Sequence, residues 1–333
     1  MGVSLICTVL NEQASIERLL RSVYSQTRKP DEFIIVDGGS RDGTVETIRA
    51  FFSRNKSKGI DSRVIVEKGA NIARGRNVAI GNARHQIIAI CDGGVSFGED
   101  WLEKLVRPLE QDASADISAG VYTGGNPQTF FERASVELLY PKISRLKDGW
   151  APSSRSEAYR KKVWEKTGGY PEFLYTAEDT VFHEKCNKLG FVFKLAKNAA
   201  VAWPPRNTPS KLFKQYYLYA KGNAQCLLIL RWPYNKRLLL LLAFFVAEFF
   251  LLIFSSQTFF SLPLQWILAP IAPLIVLFGM FFALALKFKS FGMAVAGVQI
   301  IVITNAAHFA GIAGGILQGI KNKLNGNLAK HWL

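Results

Sequence analysis

Between Leu238 and Ile320 charge is almost absent: Glu248, Lys287 and Lys289 are the acidic or basic residues of that stretch. So long an apolar region excludes a wholly soluble enzyme and a disordered basic tail protein. Cysteine is scarce too. Cys7, Cys91, Cys186 and Cys226 contain no C-x-x-C pair, which excludes a disulfide-stapled mini-protein. The first three lie in apolar or helical stretches, where free cysteine reads as a small buried hydrophobe in a reducing compartment. Also missing is a basic segment ahead of the first apolar run. Val3–Val9 starts directly as a strand, so no cleaved leader is expected, and the front of the chain is expected to stay in the cytosol.

What is present is charge of one sign, unevenly placed. Lys and Arg number 41 against 26 Asp and Glu in 333 residues, a formal net charge of +15. Nearly all of it precedes the apolar region, so a charged, soluble-looking part is followed by a membrane part.

The charged part alternates short apolar runs with helical periodicity. Strands are expected at Val3–Val9, 33–36, 63–66, 87–91 and 117–121, with helices between them, one of them capped by Asn11, another opened by Asp42, and others over 71–84 and 101–109. That β-α-β order demands crossover connections, hence a mostly parallel α/β sheet covered by helices. Ligands of such sheets lie beyond the carboxyl ends of the strands, which directs attention to the loops after Val9, Val36 and Cys91. Residues 120–156 are less regular and read as a mobile flank of the site. Helices are expected at 163–167 and 177–189, and a strand at 191–201.

Residues 208–225 mix Leu212, Phe213, Tyr216, Tyr217 and Tyr219 with Lys211, Lys214 and Lys221, the profile of an interfacial helix beside a membrane. Three apolar segments follow, over 238–254, 264–286 and 291–320, each long enough or nearly so to span a bilayer. Arg231, Lys236 and Arg237 place the first entry on the cytoplasmic side, and Lys287 and Lys289 bring the chain back to it. Lys321, Lys323 and Lys330 after the third segment break the positive-inside rule if it spans once; a re-entrant or interfacial course does not. Ala307, Gly311, Gly315 and Gly319 recur every four residues, a face that another backbone approaches closely, within the chain or in a homo-oligomer. Glu248 and His308 are ionisable groups at membrane depth and so candidates for function.

Four loops carry chemistry: Thr8-Val9-Leu10-Asn11-Glu12, Val36-Asp37-Gly38-Gly39-Ser40-Arg41-Asp42-Gly43-Thr44, Cys91-Asp92-Gly93-Gly94, and Ala177-Glu178-Asp179 at a helix start. Singly, each has a dull explanation, since D-G-G is commonly a turn and acids favour a helix N-terminus. In this order, with Ser153-Ser154-Arg155-Ser156, Gly168-Gly169-Tyr170-Pro171, Trp203-Pro204-Pro205-Arg206 and Gln215-Tyr216-Tyr217, they resemble the inverting family 2 nucleotide-sugar glycosyltransferases. Within that family they resemble the branch that builds exopolysaccharides or lipid-linked glycans and carries C-terminal transmembrane helices.

The resemblance covers roughly residues 1–225 and implies a GT-A, Rossmann-like domain over 1–207. An amphipathic segment at 208–237, a transmembrane region of two or three helices at 238–320 and a basic tail at 321–333 follow. By position it implies a UDP- or GDP-sugar donor held by Thr8, Asn11, Glu12, Asp37, Gly39, Arg76, Asn77, Asp92, Gly93 and Arg155. Asp37 would meet the base and Asp92 the ribose and diphosphate. Asp179, with Glu178 beside it, would be the base that takes the acceptor's proton. Trp150, Arg206, Lys211, Gln215 and Tyr216 would form a collar for a lipid- or polyprenyl-phosphate-linked acceptor at an anionic membrane.

The family also implies Mg²⁺ or Mn²⁺ at Asp92, but here the chain departs from the pattern. Gly38 and Gly94 stand where acids are usual, and Trp203 where many relatives place a histidine. Arg155, Arg206 or Lys211 are alternative partners for the diphosphate. The missing Q-x-x-R-W pattern points to a single-sugar (hexosyl) transfer rather than polymerisation. The expected enzyme is thus a multi-pass protein of the cytoplasmic membrane with its catalytic domain in the cytosol; alternatives are a membrane-tethered pseudo-glycosyltransferase or scaffold and, less fitting, a transporter. Nucleic acid is not expected as a partner, because the basic residues include a juxtamembrane cluster and anionic lipid is nearer to it.

Overall fold

The computed structural model describes residues 1–228 and 277–328. The apolar segment 238–254 with Glu248, the first half of the segment 264–286, and Arg231, Lys236, Arg237 and Lys330 lie outside the described residues.

The chain divides into two compact units, one built mainly from Met1–Pro127 and Leu139–Pro205, the other from Gln128–Leu138 and Arg206–Lys321. The first is an eight-stranded sheet. Its strands are β1 (Val3–Val9), β2 (Glu32–Asp37), β3 (Asp61–Val66), β4 (Ile87–Asp92), β5 (Ser96–Phe97), β6 (Ile117–Thr123), β7 (Glu157–Arg160) and β8 (Phe193–Ala202), in the spatial order β3-β2-β1-β4-β7-β6-β8-β5. β3, β2, β1 and β4 are parallel; β7 enters antiparallel between β4 and β6. The helices of this unit are α1 (Ile16–Tyr24), α2 (Thr44–Arg54), α3 (Ile72–Gly81), α4 (Trp101–Gln111), α6 (Lys161–Thr167) and α7 (Glu178–Lys188).

Both faces of the sheet are buried, and the two-residue strand period sorts side chains between them. Leu5, Cys7, Phe33, Ile35, Ala89 and Cys91 point to one core, with Leu19, Leu20, Ile48, Trp101 and Leu105 of α1, α2 and α4. Ile6, Ile34, Val36, Ile88 and Ile90 point to the other, with Ala73, Ile80, Val163 and Phe182 of α3, α6 and α7. This is why these strands read as unbroken apolar runs. All four cysteines are buried, and none forms a disulfide.

Two local expectations are corrected. Asn11 does not cap α1. It stands at φ +55, a left-handed conformation that asparagine tolerates, and its Oδ1 accepts from Arg41 N at 2.9 Å, while Ser15 takes the N-cap position. Residues 120–156 are not irregular throughout, because they contain α5 (Phe130–Leu139), which opens on Thr129 and Glu132 bonding to each other's backbone N–H groups. β7 also escapes the sequence pattern, since a four-residue strand bounded by Glu157 and Arg160 offers two apolar positions.

The second unit holds α5, α8 (Pro209–Gln225), the short apolar α9 (Leu277–Phe288) and α10 (Phe291–Leu324). α10 is, among the described residues, the one helix long and apolar enough to cross a membrane. Its small-residue face meets α8 within the chain. A Cβ added at Gly311, Gly315 or Gly319 would strike the carbonyl oxygens of Tyr217, Lys221 and Ala224, so the two backbones touch where only glycine fits. Other α10 side chains are exposed, among them Phe291, Phe309, Leu317 and Leu324.

Candidate active site

The carboxyl ends of β1, β2 and β4 lie side by side in register: Thr8 pairs with Val36 and Asp92, and Val9 with Asp37. Three of the four chemically interesting loops therefore leave the sheet at one edge. The β1 and β2 loops are laced together. Asn11 N donates to Ser40 Oγ at 2.8 Å and Glu12 N to Thr44 Oγ1 at 2.9 Å.

Asp37 is fully buried, and its carboxylate shapes its own loop. Oδ1 accepts from Gly39 N and Ser40 N, each at 2.8 Å, and Oδ2 accepts from Ser40 Oγ. Gly39 turns at φ +100, which an asparagine or glycine alone adopts readily. Gly38 has a steric reason: a Cβ there would lie 2.8 Å from the carbonyl oxygen of Ala70, so the acid usual at this position is excluded by backbone. Gly94 has none, since among the described residues a Cβ there would meet nothing within 4 Å. Gly93 is hemmed between Val9 and Glu12. The Glu12 carboxylate accepts from Ser15 Oγ.

Arg76 joins the fourth loop to the others. Its side chain is buried on α3; Nη1 donates to Glu178 Oε1 at 2.7 Å and Nη2 to Asp92 Oδ1 at 3.0 Å, over the ring of Tyr170. The start of α7 is thereby held one guanidinium away from the end of β4. Burial pushes the Glu178 carboxyl up to about 7, the charge of Asp179 adds to this, and Arg76 works against both. Asp179 is half-buried and accepts from Thr180 N at 2.8 Å. Ala177 precedes the pair at φ +67, an uncommon conformation for alanine that aims the helix start.

Asn77 bonds to neighbouring residues at both ends of its amide. Oδ1 accepts from Tyr170 N and Trp164 Nε1, and Nδ2 donates to Tyr170 O and Glu172 Oε1, clamping the 168–172 loop. Asn77 and Arg76 thus both serve the frame around the acid pair.

Two sets of contacts escaped the sequence pattern. Buried Glu157 of β7 faces His183 of α7, one turn beyond Asp179, at 2.5 Å. Burial pulls that imidazole down, but the Glu157 carboxylate outweighs it and the net shift is upward; the contact ties α7 to the sheet. Arg155 lies over the Trp203 ring at 3.8 Å and near Tyr122 at 5.4 Å, with Nε 3.8 Å from Asp92 Oδ2. An acid and a histidine within apolar neighbours, and an arginine far from its aromatic partners in sequence, carry no periodic signal.

Among the described residues no three His, Cys, Asp or Glu side chains gather around one point. Asp92 is the carboxylate that the β4 loop offers, and both its oxygens face guanidinium groups. Mg²⁺ and Mn²⁺ in such sites take one or two carboxylates together with substrate phosphate oxygens and water, so Asp92 is the residue here that would hold such an ion with a donor diphosphate.

The proposed collar residues belong partly to the second unit. There Arg206 Nε donates to Gln215 Oε1 at 3.1 Å, Gln215 Nε2 to Tyr219 Oη at 2.9 Å, and Lys211 Nζ to Asn207 Oδ1 at 3.2 Å. Tyr216 packs against His308, whose Nδ1 meets Thr304 O. Trp150 lies in the first unit and is half-buried.

Residues 4–173 match the model of the family described as "Glycosyl transferase family 2". The chain is 27% identical over 232 residues to glycosyltransferase AglE of Haloferax volcanii, covering 67% of this chain and 73% of that one. It is 25% identical to the succinoglycan biosynthesis protein ExoA of Rhizobium meliloti over 66% of this chain and 68% of that one. In fold it is similar to the mannosyltransferase PcManGT of Pyrobaculum calidifontis, solved with GDP-Man and Mn²⁺: the TM-score is 0.57, the identity 21%, and the match covers 91% of this chain and 86% of that one.

Proposed function

Since the chain belongs to glycosyl transferase family 2, an inverting class of glycosyltransferases, we propose that it moves one hexose from a UDP- or GDP-sugar to a lipid-linked acceptor, in the building of a polysaccharide or other glycan. One observation carries the reading. Arg76 couples the acid pair Glu178-Asp179 to Asp92 at the end of β4, so a base and a donor-facing carboxylate are held together beyond the sheet edge.

The donor lies over the loops of Thr8, Asn11, Glu12, Asp37, Gly39, Asp92 and Gly93, with Arg155 at its diphosphate. Asp179 accepts the proton of the acceptor hydroxyl as that oxygen attacks the anomeric carbon from the face opposite the departing nucleoside diphosphate, which inverts the carbon. Arg76, Asn77 and the Glu157–His183 pair are positioning residues for this base. Glu178, titrating near neutrality, shares its negative charge with Arg76 and keeps Asp179 from facing a second free carboxylate.

The acceptor is the lipid-linked species because α10 presents exposed Phe309, Leu317 and Leu324 and has the length of a span. The C-terminal segments then anchor the chain in the cytoplasmic membrane as a multi-pass protein with the sheet unit in the cytosol. Arg206, Lys211, Gln215 and Tyr216 serve the acceptor's anionic head.

The test is transfer by the full chain in lipid, with a panel of nucleotide sugars and lipid acceptors, with and without EDTA, read as nucleoside diphosphate released. Turnover that disappears in Asp179→Asn while donor binding persists is the expected result. No turnover and no nucleotide binding with any donor overturns the reading and leaves a scaffold in its place.

A further inference from the structure

Resting on the membrane reading above, we propose that α10 does not cross the bilayer but lies along its cytoplasmic surface, its exposed stripe being a lipid-binding face sunk to the boundary of headgroups and acyl chains. Length and composition allow a span. The helices that pack against α10 do not.

Those helices are charged. Near the start of α10, Gly292 lies against Phe130 and Gly297 against Leu138, both of α5. Further on, His308 meets the Tyr216 ring at 5.5 Å, and Gly311, Gly315 and Gly319 lie in turn against Tyr217, Lys221 and Ala224 of α8. The numbers rise together, so α8 runs parallel to α10 beside its second half. α5 carries Glu132, Arg133 and Glu137, and α8 carries Lys211, Lys214 and Lys221. Were α10 to stand across the membrane, α8 would stand with it and take Lys221 to bilayer depth beside Gly315. Charge at that depth is costly, whereas an amphipathic helix in the interface keeps its charges on the water side.

The other face of α10 is apolar. Phe291, Val295, Val302, Phe309, Leu317 and Leu324 are exposed, and steps of four, seven or eight residues keep them on one side of a helix. Phe291 is 74% exposed, Leu317 77% and Leu324 81%. Over 34 residues the helix runs for about 50 Å, well beyond the ~30 Å of a hydrocarbon core, so an upright α10 leaves part of this stripe in water. A flat one buries all of it.

Charge at the two ends agrees. Lys287 and Lys289 precede the helix, Lys321 and Lys323 close it, and no acid stands between residues 287 and 324. Lying flat, α10 sets both lysine pairs at the level of one anionic leaflet. Upright, it would send one pair to the far side, against the positive-inside rule. The segments 238–254 and 264–286, read from the sequence as an entry and a return, then leave the basic tail on the cytosolic side.

Depth quenching in the full chain, reconstituted into vesicles containing phosphatidylglycerol, tests this. Phe291→Cys, Val302→Cys, Phe309→Cys and Leu317→Cys each receive a thiol-reactive fluorophore at an exposed position, and the wild type, whose described cysteines are buried, is the labelling blank. A lipid nitroxide high on the acyl chain is expected to quench all four labels at least about twofold more than one at the chain end. Labels at Val302 and Phe309 that answer mainly to the deep nitroxide, with those at Phe291 and Leu317 answering to the shallow one, describe a span; they overturn the inference and leave the membrane reading intact. Vesicle-bound protein whose labels answer to neither nitroxide has its stripe covered by protein, another segment or a second copy, and this overturns the inference too. A chain that does not float with the vesicles overturns the membrane reading itself, and this inference with it.

Discussion

Arg76 and Glu178 stand 102 positions apart in the chain and meet at 2.7 Å in a buried ion pair. The same arginine holds Asp92, so one side chain spans two loops of the candidate site. A carboxylate buried in this way depends on its partner. Replacing Arg76 by Met leaves Glu178 buried without its cation, and a loss of about 3–5 kcal/mol is expected. Chemical denaturation of the full chain in detergent measures it. An unchanged midpoint would mean that the pair does not hold the loops.

Glu178 also makes stability depend on pH. Burial and Asp179 raise its carboxyl to about 7, above the 4.5 of an ordinary glutamate. The folded chain therefore binds more protons than the unfolded chain between those values. The contribution of this group is complete below about 4.5 and is lost as pH rises through about 7. Comparing unfolding midpoints at pH 5 and pH 8, the wild type should lose stability across this window through this group, and Glu178→Gln should lose less.

Gly38 and Gly94 both replace an acid of the family pattern, for different reasons. An aspartate at Gly38 would force its Cβ against Ala70 O, so Gly38→Asp is expected to cost about 1–3 kcal/mol. Gly94→Asp enters open space and should leave the midpoint within about 0.5 kcal/mol. The same variant places a second carboxylate in the loop of Asp92, and Mn²⁺ titration should find tighter binding than in the wild type. Thermal scans of both variants decide the steric part, and calorimetry the other.

Gly315 lets α10 touch α8 at the backbone of Lys221. Gly315→Leu must separate the two helices, with an expected cost of about 1–3 kcal/mol. The measurement is the unfolding midpoint in detergent. Gly279→Ala, where none of the described residues lies within 4 Å, serves as the control that should not shift it in this way.

The strands were legible where both of their faces are buried. β1, β2 and β4 are unbroken apolar runs ending in loops of small and acidic residues, and such a run has few other ways to satisfy its backbone. β7 and α5 were not, because a short strand between two charged ends and a helix after a Gly-Pro stretch have no period strong enough to read. Asn11 was misplaced because helix caps and left-handed turns favour the same residue.

From the sequence alone came the division into a charged sheet-forming part and an apolar helical part, the order of the loops, the family, and the absence of two acids. All of these depend on residue type and on spacing along the chain, which local periodicity and pattern report directly. Tertiary structure alone decided the partners: that Arg76 faces Glu178 and Asp92 rather than solvent, that Asp37 is spent on its own loop, that His183 has Glu157, and that Arg155 lies on Trp203. Each of these joins residues distant in sequence, and a single chain carries no signal for which charged or aromatic side chain closes on which. Burial then fixes their chemistry, because a charge removed from water is governed by the neighbour it meets.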